Sequence, residues 1–387
     1  MTNQSSRRRL GRLTMTAVSV AAIAGLGTTA APAAIDSARH PDNAVQKSLD
    51  GLVAGPSFPG AIVTVRDRSG RARTYTAGVG DLATKAPVPR ASRVRIGSNT
   101  KTFTSVVVLQ LVGEGKIGLD TAIEKYLPGM VRGDGIDGRK ITVRQLLQHT
   151  SGIPDYDELL AAGYPELQHT YWEPREMVDV ALAKKALFPP GKGWEYSNTN
   201  YILAGLIVQK VTGRPIAEEI TRRVIEPIGL RDTYWPAVGD QRILGPHPQG
   251  YFKTTRDGKP VNVTEMEPSL GWAAGQMIAS PGDLNRFFSA VIDGKLLKPA
   301  QLQQMLSTVP APDLDVNGDG DYGLGIAKLP LSCGGFAWTH GGDIFGFETR
   351  NAVTTDGREA ALVVTAMPTT IDDAKRVAKT LDTALCS

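Results

Sequence analysis

The 387-residue chain has little cysteine, no long apolar run and almost no surplus of charge, and each shortage excludes something. Its two cysteines, Cys333 and Cys386, have no histidine or acidic cluster beside either one, which argues against a thiolate metal site or a catalytic thiol. The apolar run near the N-terminus, Leu13 to Leu26, falls short of the ~20 residues that a bilayer-spanning helix requires. Glycine (42) and proline (25) are spread without a period, which excludes collagen-like and repeat architectures. Lysine and arginine (43) outnumber aspartate and glutamate (39) only through Arg7, Arg8, Arg9 and Arg12; without those four the count is 39 of each. Neither nucleic acid nor an anionic membrane is therefore expected as a partner.

Those four arginines precede the Leu13–Leu26 run, and Ala31-Pro32-Ala33 follows it as an A-x-A cleavage signal. Residues 1–33 therefore read as a signal peptide of a secreted protein, with a twin-arginine flavour in Ser6-Arg7-Arg8-Arg9-Leu10, and no stable membrane anchor is expected. In an exported chain an even pair of cysteines is expected to bridge. A Cys333–Cys386 bond would tie the C-terminal helix to a strand, closing a loop whose entropy is worth about 4 kcal/mol as an upper expectation.

Asn43 to Val53 has helical apolar spacing, while Ala61 to Val65 and Arg73 to Ala77 read as a hairpin turning at Asp67-Arg68-Ser69-Gly70. A helix from Ser98 carries Phe103, Val106, Val107, Val108, Leu109, Leu111 and Val112, apolar on nearly every side, and is expected to be central and buried. Helical segments and polar loops fill the stretch from Leu119 to Glu267, with helices expected at Thr142–Gln148, Arg175–Lys184 and Tyr201–Val211. Farther on, strands are expected at Ala273–Ile278, Gly323–Leu329, Phe336–His340, Phe347–Thr354 and Ala360–Ala366, with a closing helix at Ile371–Leu385. Strands at both chain ends around a helical middle imply a discontinuous sheet domain, 34–118 with 268–387, and a helical domain, 119–267. A cleft between the two is the natural place for a site.

The chemistry centres on Ser98-Asn99-Thr100-Lys101. A serine and a lysine three residues apart share one helical face, and the amides at a helix N-terminus favour a developing oxyanion. Ser98 needs a neighbouring base to act as a nucleophile. Lys101 and Tyr196 are the candidates; both titrate ordinarily near ~10, so the two are expected to share a proton as a coupled unit. Taken singly, Ser98 reads as a helix cap, Tyr196 as a loop aromatic and His340 as a satisfied strand histidine. Their joint order carries the argument: Ser98-Asn99-Thr100-Lys101, then Tyr196-Ser197-Asn198, then His340-Gly341-Gly342.

In this order and spacing the three motifs resemble the serine β-lactamase/penicillin-binding superfamily, in the branch of class C β-lactamases, secreted D-alanyl-D-alanine carboxypeptidases, D-aminopeptidases and related esterases. Leu146-Leu147-Gln148-His149-Thr150-Ser151-Gly152-Ile153, Pro189-Pro190-Gly191 and Tyr322-Gly323-Leu324-Gly325-Ile326 add to the likeness, as does the placement of Cys333 and Cys386. The resemblance implies an α+β, β-lactamase/transpeptidase-like fold: an antiparallel five-stranded sheet flanked by helices, with an all-helical insertion. It also implies catalytic roles for Ser98, Lys101, Tyr196 and His340, and substrate contacts for Asn198, Trp272, Gly341, Gly342 and Asp343. Oxyanion donors would be the Ser98 and Asp343 amides, with Trp272 placed either at the cleft or in the core and His149 structural.

The implied function is a cofactor-free, monomeric peptidase of the carboxypeptidase type, forming an acyl-enzyme with a small-molecule or peptide donor. The rivals are an esterase or D-aminopeptidase, and a non-catalytic penicillin-binding sensor of peptidoglycan. Relatives grip a terminal carboxylate with hydroxyls after the histidine and a nearby arginine. Here those positions read Gly341, Asp343 and Ala327, with only Lys328 close by, so a neutral or amine-bearing substrate is expected instead. Asp313 to Asp321 resembles the start of a calcium loop, but Leu324 stands where a bidentate glutamate is needed, and a solvated acidic hairpin is the simpler reading.

Overall fold

The computed structural model describes residues 44–156, 164, 166–255 and 257–387. The expected signal peptide, 1–33, lies outside them. Eight strands form one antiparallel sheet: β1 (Gly60–Arg66), β2 (Ala72–Gly78), β3 (Val309–Pro310), β4 (Asp321–Tyr322), β5 (Ala327–Pro330), β6 (Phe336–Ile344), β7 (Phe347–Val353) and β8 (Glu359–Val364). Their order is β2-β1-β8-β7-β6-β5-β4-β3, so both ends of the described chain build the same sheet.

The expected count of five is corrected to eight. Three short strands, β5, β4 and β3, extend the edge beyond β6. The stretch expected as one strand, 323–329, instead turns back on itself through a Gly323 N–H to Ile326 carbonyl bond of 2.7 Å. Gly325 adopts φ +77°, outside the range of a pleated strand, and the chain reverses there.

Alternation along the central strands sorts side chains to two faces. Ala61, Val63, Leu362 and Val364 face α1 (Ala44–Val53) and the C-terminal helix Ile371–Cys386, where Leu49, Leu52, Val377 and Leu381 complete a small core. Ile62, Ala361 and Val363 face the opposite way, into a larger core with Phe103, Phe287 and Phe288. At its centre lies α2 (Thr100–Gly113), buried along almost its whole length, as its all-round apolar sequence requires.

The described residues between 119 and 267 add no strand to the main sheet. They supply the helices α3 (Val143–Leu147), α4 (Pro174–Leu182) and α5 (Asn198–Thr212) and two small two-stranded ribbons. Thr142 starts α3 with a reciprocal capping box to Gln145, and Gly213, at φ +67°, stops α5. The strand expected at 273–278 is a single helical turn, Trp272–Gly275, followed by Ile278–Ala279 paired with Val94–Arg95. Two consecutive alanines between glycines can pack flat on neighbouring helices, and the turn aims the Ala273 and Ala274 carbonyls at α2. Among the described residues no helix is long and apolar enough to cross a membrane.

Candidate active site

The positions of Ser98 and of β6 follow from two glycines. Residues Gly97–Asn99 form a short 3-10 turn leading into α2, rather than the first turn of α2 itself. Gly97 adopts φ +47°, a conformation that side-chain-bearing residues avoid. A methyl at Gly342 would overlap the Ile96 carbonyl, so the absence of a side chain there lets β6 lie directly against the turn. β5 pairs with β6 only as far as Ala327 opposite Thr339, leaving the His340–Ile344 half without a strand partner on that side. The Ser98 turn packs there, and Asn99 Nδ2 reaches across to the Thr349 hydroxyl at 2.7 Å.

Lys101, fully buried, has its Nζ 2.9 Å from Ser98 Oγ, 2.6 Å from Asn198 Oδ1 and 2.9 Å from the Ala274 carbonyl oxygen. The Asn198 amide can face only one way. Its Nδ2 donates to Asp155 Oδ2 at 2.9 Å, the same oxygen that accepts the Asn198 backbone N–H, so its carbonyl must face Lys101. Tyr196 stands beside them, its ring centroid 4.8 Å from Lys101 Nζ. Burial pushes the phenol well above its ordinary value near 10, with the Ser98 hydroxyl pulling it partly back. At rest the phenol therefore keeps its proton.

Two fixed carbonyl acceptors and one hydroxyl surround the Lys101 nitrogen. A neutral amine would donate to the two carbonyls and accept the Ser98 proton. An ammonium would donate to all three. The same cage thus suits the nitrogen as amine and as ammonium.

His340 is close but aimed elsewhere. Its Nδ1 lies 2.6 Å from the Gly341 carbonyl and must donate, so Nε2 accepts from the Tyr322 hydroxyl at 2.8 Å. Its ring sits 6.4 Å from that of Tyr196, with no direct bond between them. Burial first, and second any charge on the nearby Lys101, hold it down at about 3, so it is neutral near neutrality. His149 floors the site: its ring lies 4.3 Å from that of Tyr196, its Nδ1 accepts the Ser197 N–H at 3.2 Å, and burial keeps it uncharged. Trp272 turns its indole against Gly205 of α5 and does not line the groove, although Leu270, Gly271, Ala274 and Gly275 beside it do.

Along this half of β6 Gly342 is buried against the turn and Asp343 is exposed, but Asp343 is not a bare carboxylate. Its oxygens lie 2.9 and 3.2 Å from Arg350 of β7. Glu348, buried beneath, sits 2.7 Å from the same guanidinium. Burial pushes the Glu348 carboxyl up to about 7 against the pull of Arg350. Burial opposes the Arg350 charge, but the two carboxylates outweigh it and raise the group above its ordinary value. The sequence-based expectation of no arginine in reach is therefore corrected. Lys328, the expected substitute, lies over the Phe336 ring at 4.5 Å instead. Hairpin arithmetic could have found Arg350, because a two-residue turn at Phe345-Gly346 sets it opposite Gly341. Asp155, also unforeseen, reaches the site on a loop and carried no such signal, while Tyr322 comes from the end of β4, in a stretch whose likeness gave it no role.

The groove has a volume of about 1150 Å³ and is lined by Ser98, Tyr196, Asn198, Asp155, His340 and Asp343 among others. The acidic hairpin contributes Asp313, Asp315 and Asp319 to its rim. Among the described residues no group of three metal-ligating side chains converges, in that hairpin or elsewhere. Cys333 and Cys386 are bonded, joining the turn between β5 and β6, rather than a strand, to the end of the C-terminal helix.

Together, the fold and the clustered serine, lysine, tyrosine and asparagine define a serine hydrolase of the β-lactamase/penicillin-binding superfamily. The Beta-lactamase family model matches residues 45–384, and the chain belongs to that family. A solved D-stereospecific amidohydrolase from Streptomyces sp. is 40% identical, with a TM-score of 0.78 over 86% of this chain and 96% of that one. The D-amino acid amidase from Ochrobactrum anthropi SV3, solved with L-phenylalanine amide, is 26% identical, with a TM-score of 0.77 over 89% of this chain and 97% of the other. Penicillin-binding protein 4* of Bacillus subtilis (strain 168) is 26% identical over 300 residues, 74% of this chain; the chain spans 64% of that protein's length.

Proposed function

We propose that this chain is an exported acyl-transfer hydrolase that cleaves amide or ester bonds of D-configured amino acyl donors through a covalent intermediate on Ser98. The observation that carries the reading is the bridging of Ser98 Oγ and Asn198 Oδ1 by the buried Lys101 amine, with the Tyr196 ring 4.8 Å from the same nitrogen. In acylation the Ser98 oxygen forms a bond to the donor carbonyl carbon while its proton passes to Lys101. Tyr196, protonated at rest, donates its proton to the departing nitrogen or oxygen as the scissile bond breaks, and regains one from the Lys101 ammonium. Water then attacks the ester, and the reverse proton movements free Ser98. The Ser98 and Asp343 amides would hold the oxyanion, each such donor being worth ~3 kcal/mol of transition-state stabilisation.

The 40% identical D-stereospecific amidohydrolase supports the stereochemistry and the amide class. A D-Ala-D-Ala carboxypeptidase needs a free cation for the substrate's carboxylate, and the arginine present is already bonded to Asp343. The bonded cysteines support an oxidising, extracellular location, in line with the leader expected at 1–33. The test is a panel of D-phenylalanine amide, L-phenylalanine amide and a peptide ending in D-Ala-D-Ala. The reading expects turnover of the first and loss of it in Ser98→Ala; preference for the L-amide, or activity that survives Ser98→Ala, would overturn it.

A further inference from the structure

We propose that Arg350 is a carboxylate-binding subsite in the groove beside Ser98, and that Asp343 occupies it, so that donors ending in a free carboxylate are turned away. This rests on the acyl-transfer reading above and adds what sets the charge of the accepted substrate. The tight turn at Phe345-Gly346 puts Gly341 opposite Arg350 and Asp343 opposite Glu348, all on one face. The missing side chain at Gly341 makes the room: a methyl there would come within 2.9 Å of Arg350 Nη1. Arg350 and both its carboxylate partners line the same groove as Ser98 and Tyr196.

The geometry is that of ligand recognition turned inward. One Asp343 oxygen lies 2.9 Å from Nη1 and the other 3.2 Å from Nη2, the fork-on-fork arrangement that a peptide's terminal carboxylate makes with arginine. The two acidic partners are not equivalent. Glu348 is 1% exposed and anchors the guanidinium from within, whereas Asp343 is 47% exposed and faces the groove. The outer carboxylate is the replaceable one. A donor carboxylate must displace it and meet its negative charge, while an amide, an ester or an amine-bearing group needs no such exchange. A single residue thereby separates amidase-like from carboxypeptidase-like selectivity.

The experiment measures binding to the full chain carrying Ser98→Ala, so it does not depend on turnover. The probes are a D-Ala-D-Ala-terminated tripeptide and the same tripeptide as its C-terminal carboxamide, each titrated by calorimetry. Asp343→Asn should tighten the acid by about tenfold and change the carboxamide by less than about threefold, the worth of one charge-assisted bidentate contact. Adding Arg350→Gln should abolish the gain. Arg350→Lys, which keeps the charge and guards against misfolding beside Glu348, should retain part of it. A gain that survives Arg350→Gln, an unchanged ratio of the two probes, or no measurable binding of the acid to the Asp343→Asn protein overturns the proposal. Failure of the acyl-transfer reading would show separately, as absence of Ser98-dependent hydrolysis in the unmodified protein.

Discussion

Among the partners of Lys101, the Asn198 and Ala274 carbonyls can only accept hydrogen bonds while the Ser98 hydroxyl can give a proton, an asymmetry that suits a buried amine to the base role proposed for it. His340, by contrast, has both ring nitrogens committed and is held neutral with a value of about 3. An unfolded histidine titrates near ~6.5, so as pH falls from there toward 3 the unfolded chain takes up a proton that the folded one refuses. The stability this neutral histidine supports is complete above about pH 6.5 and drains away on acidification. His149 is shifted in the same direction and adds to the effect. His340→Gln should therefore shrink the stability lost between pH 7 and pH 4 by up to about 3 kcal/mol, read from urea unfolding at the two pH values. Equal losses in mutant and parent would refute that placement of the ring.

At the scale of elements, the site depends on how closely the Gly97–Asn99 turn approaches the unpaired half of β6. Gly342→Ala would press a methyl onto the Ile96 carbonyl and Asn99, forcing turn and strand apart. Overpacking of this kind costs about 1–3 kcal/mol, whereas a misplacement on the order of 1 Å at a reacting centre costs about 100-fold in rate. Activity should fall by that factor in a protein that still unfolds cooperatively; near-normal turnover would show that the spacing is not critical. Much of this element-level arrangement was legible in the sequence, because apolar spacing reports burial locally: α2, the β1–β2 hairpin and the closing helix lie where the pattern sets them. The misses arose where local pattern is silent. Ala273-Ala274 fits a strand or a helical turn equally well, and the carbonyls of the turn find their donors on a helix about 170 residues away. Trp272 faces Gly205 for the same reason, since a gap left by a distant glycine carries no local signature.

The described chain joins its two ends into one sheet and gathers Ser98, Lys101, Tyr196 and Asn198 from positions up to 100 residues apart. Their types and order were enough to indicate the superfamily, because the three motifs recur together in it. What the sequence did not disclose is the polar framework behind them: Asp155 turning Asn198, Tyr322 holding His340, and Arg350 between Asp343 and Glu348. Those pairings depend on strand register and loop approach, which only the folded chain fixes. The most direct test of the account is an acid-quenched reaction with a D-aminoacyl ester, analysed by intact mass and peptide mapping. The account predicts a mass increase equal to the acyl group, located on Ser98 and absent in Lys101→Met. Turnover without any adduct, or an adduct on another residue, would contradict it.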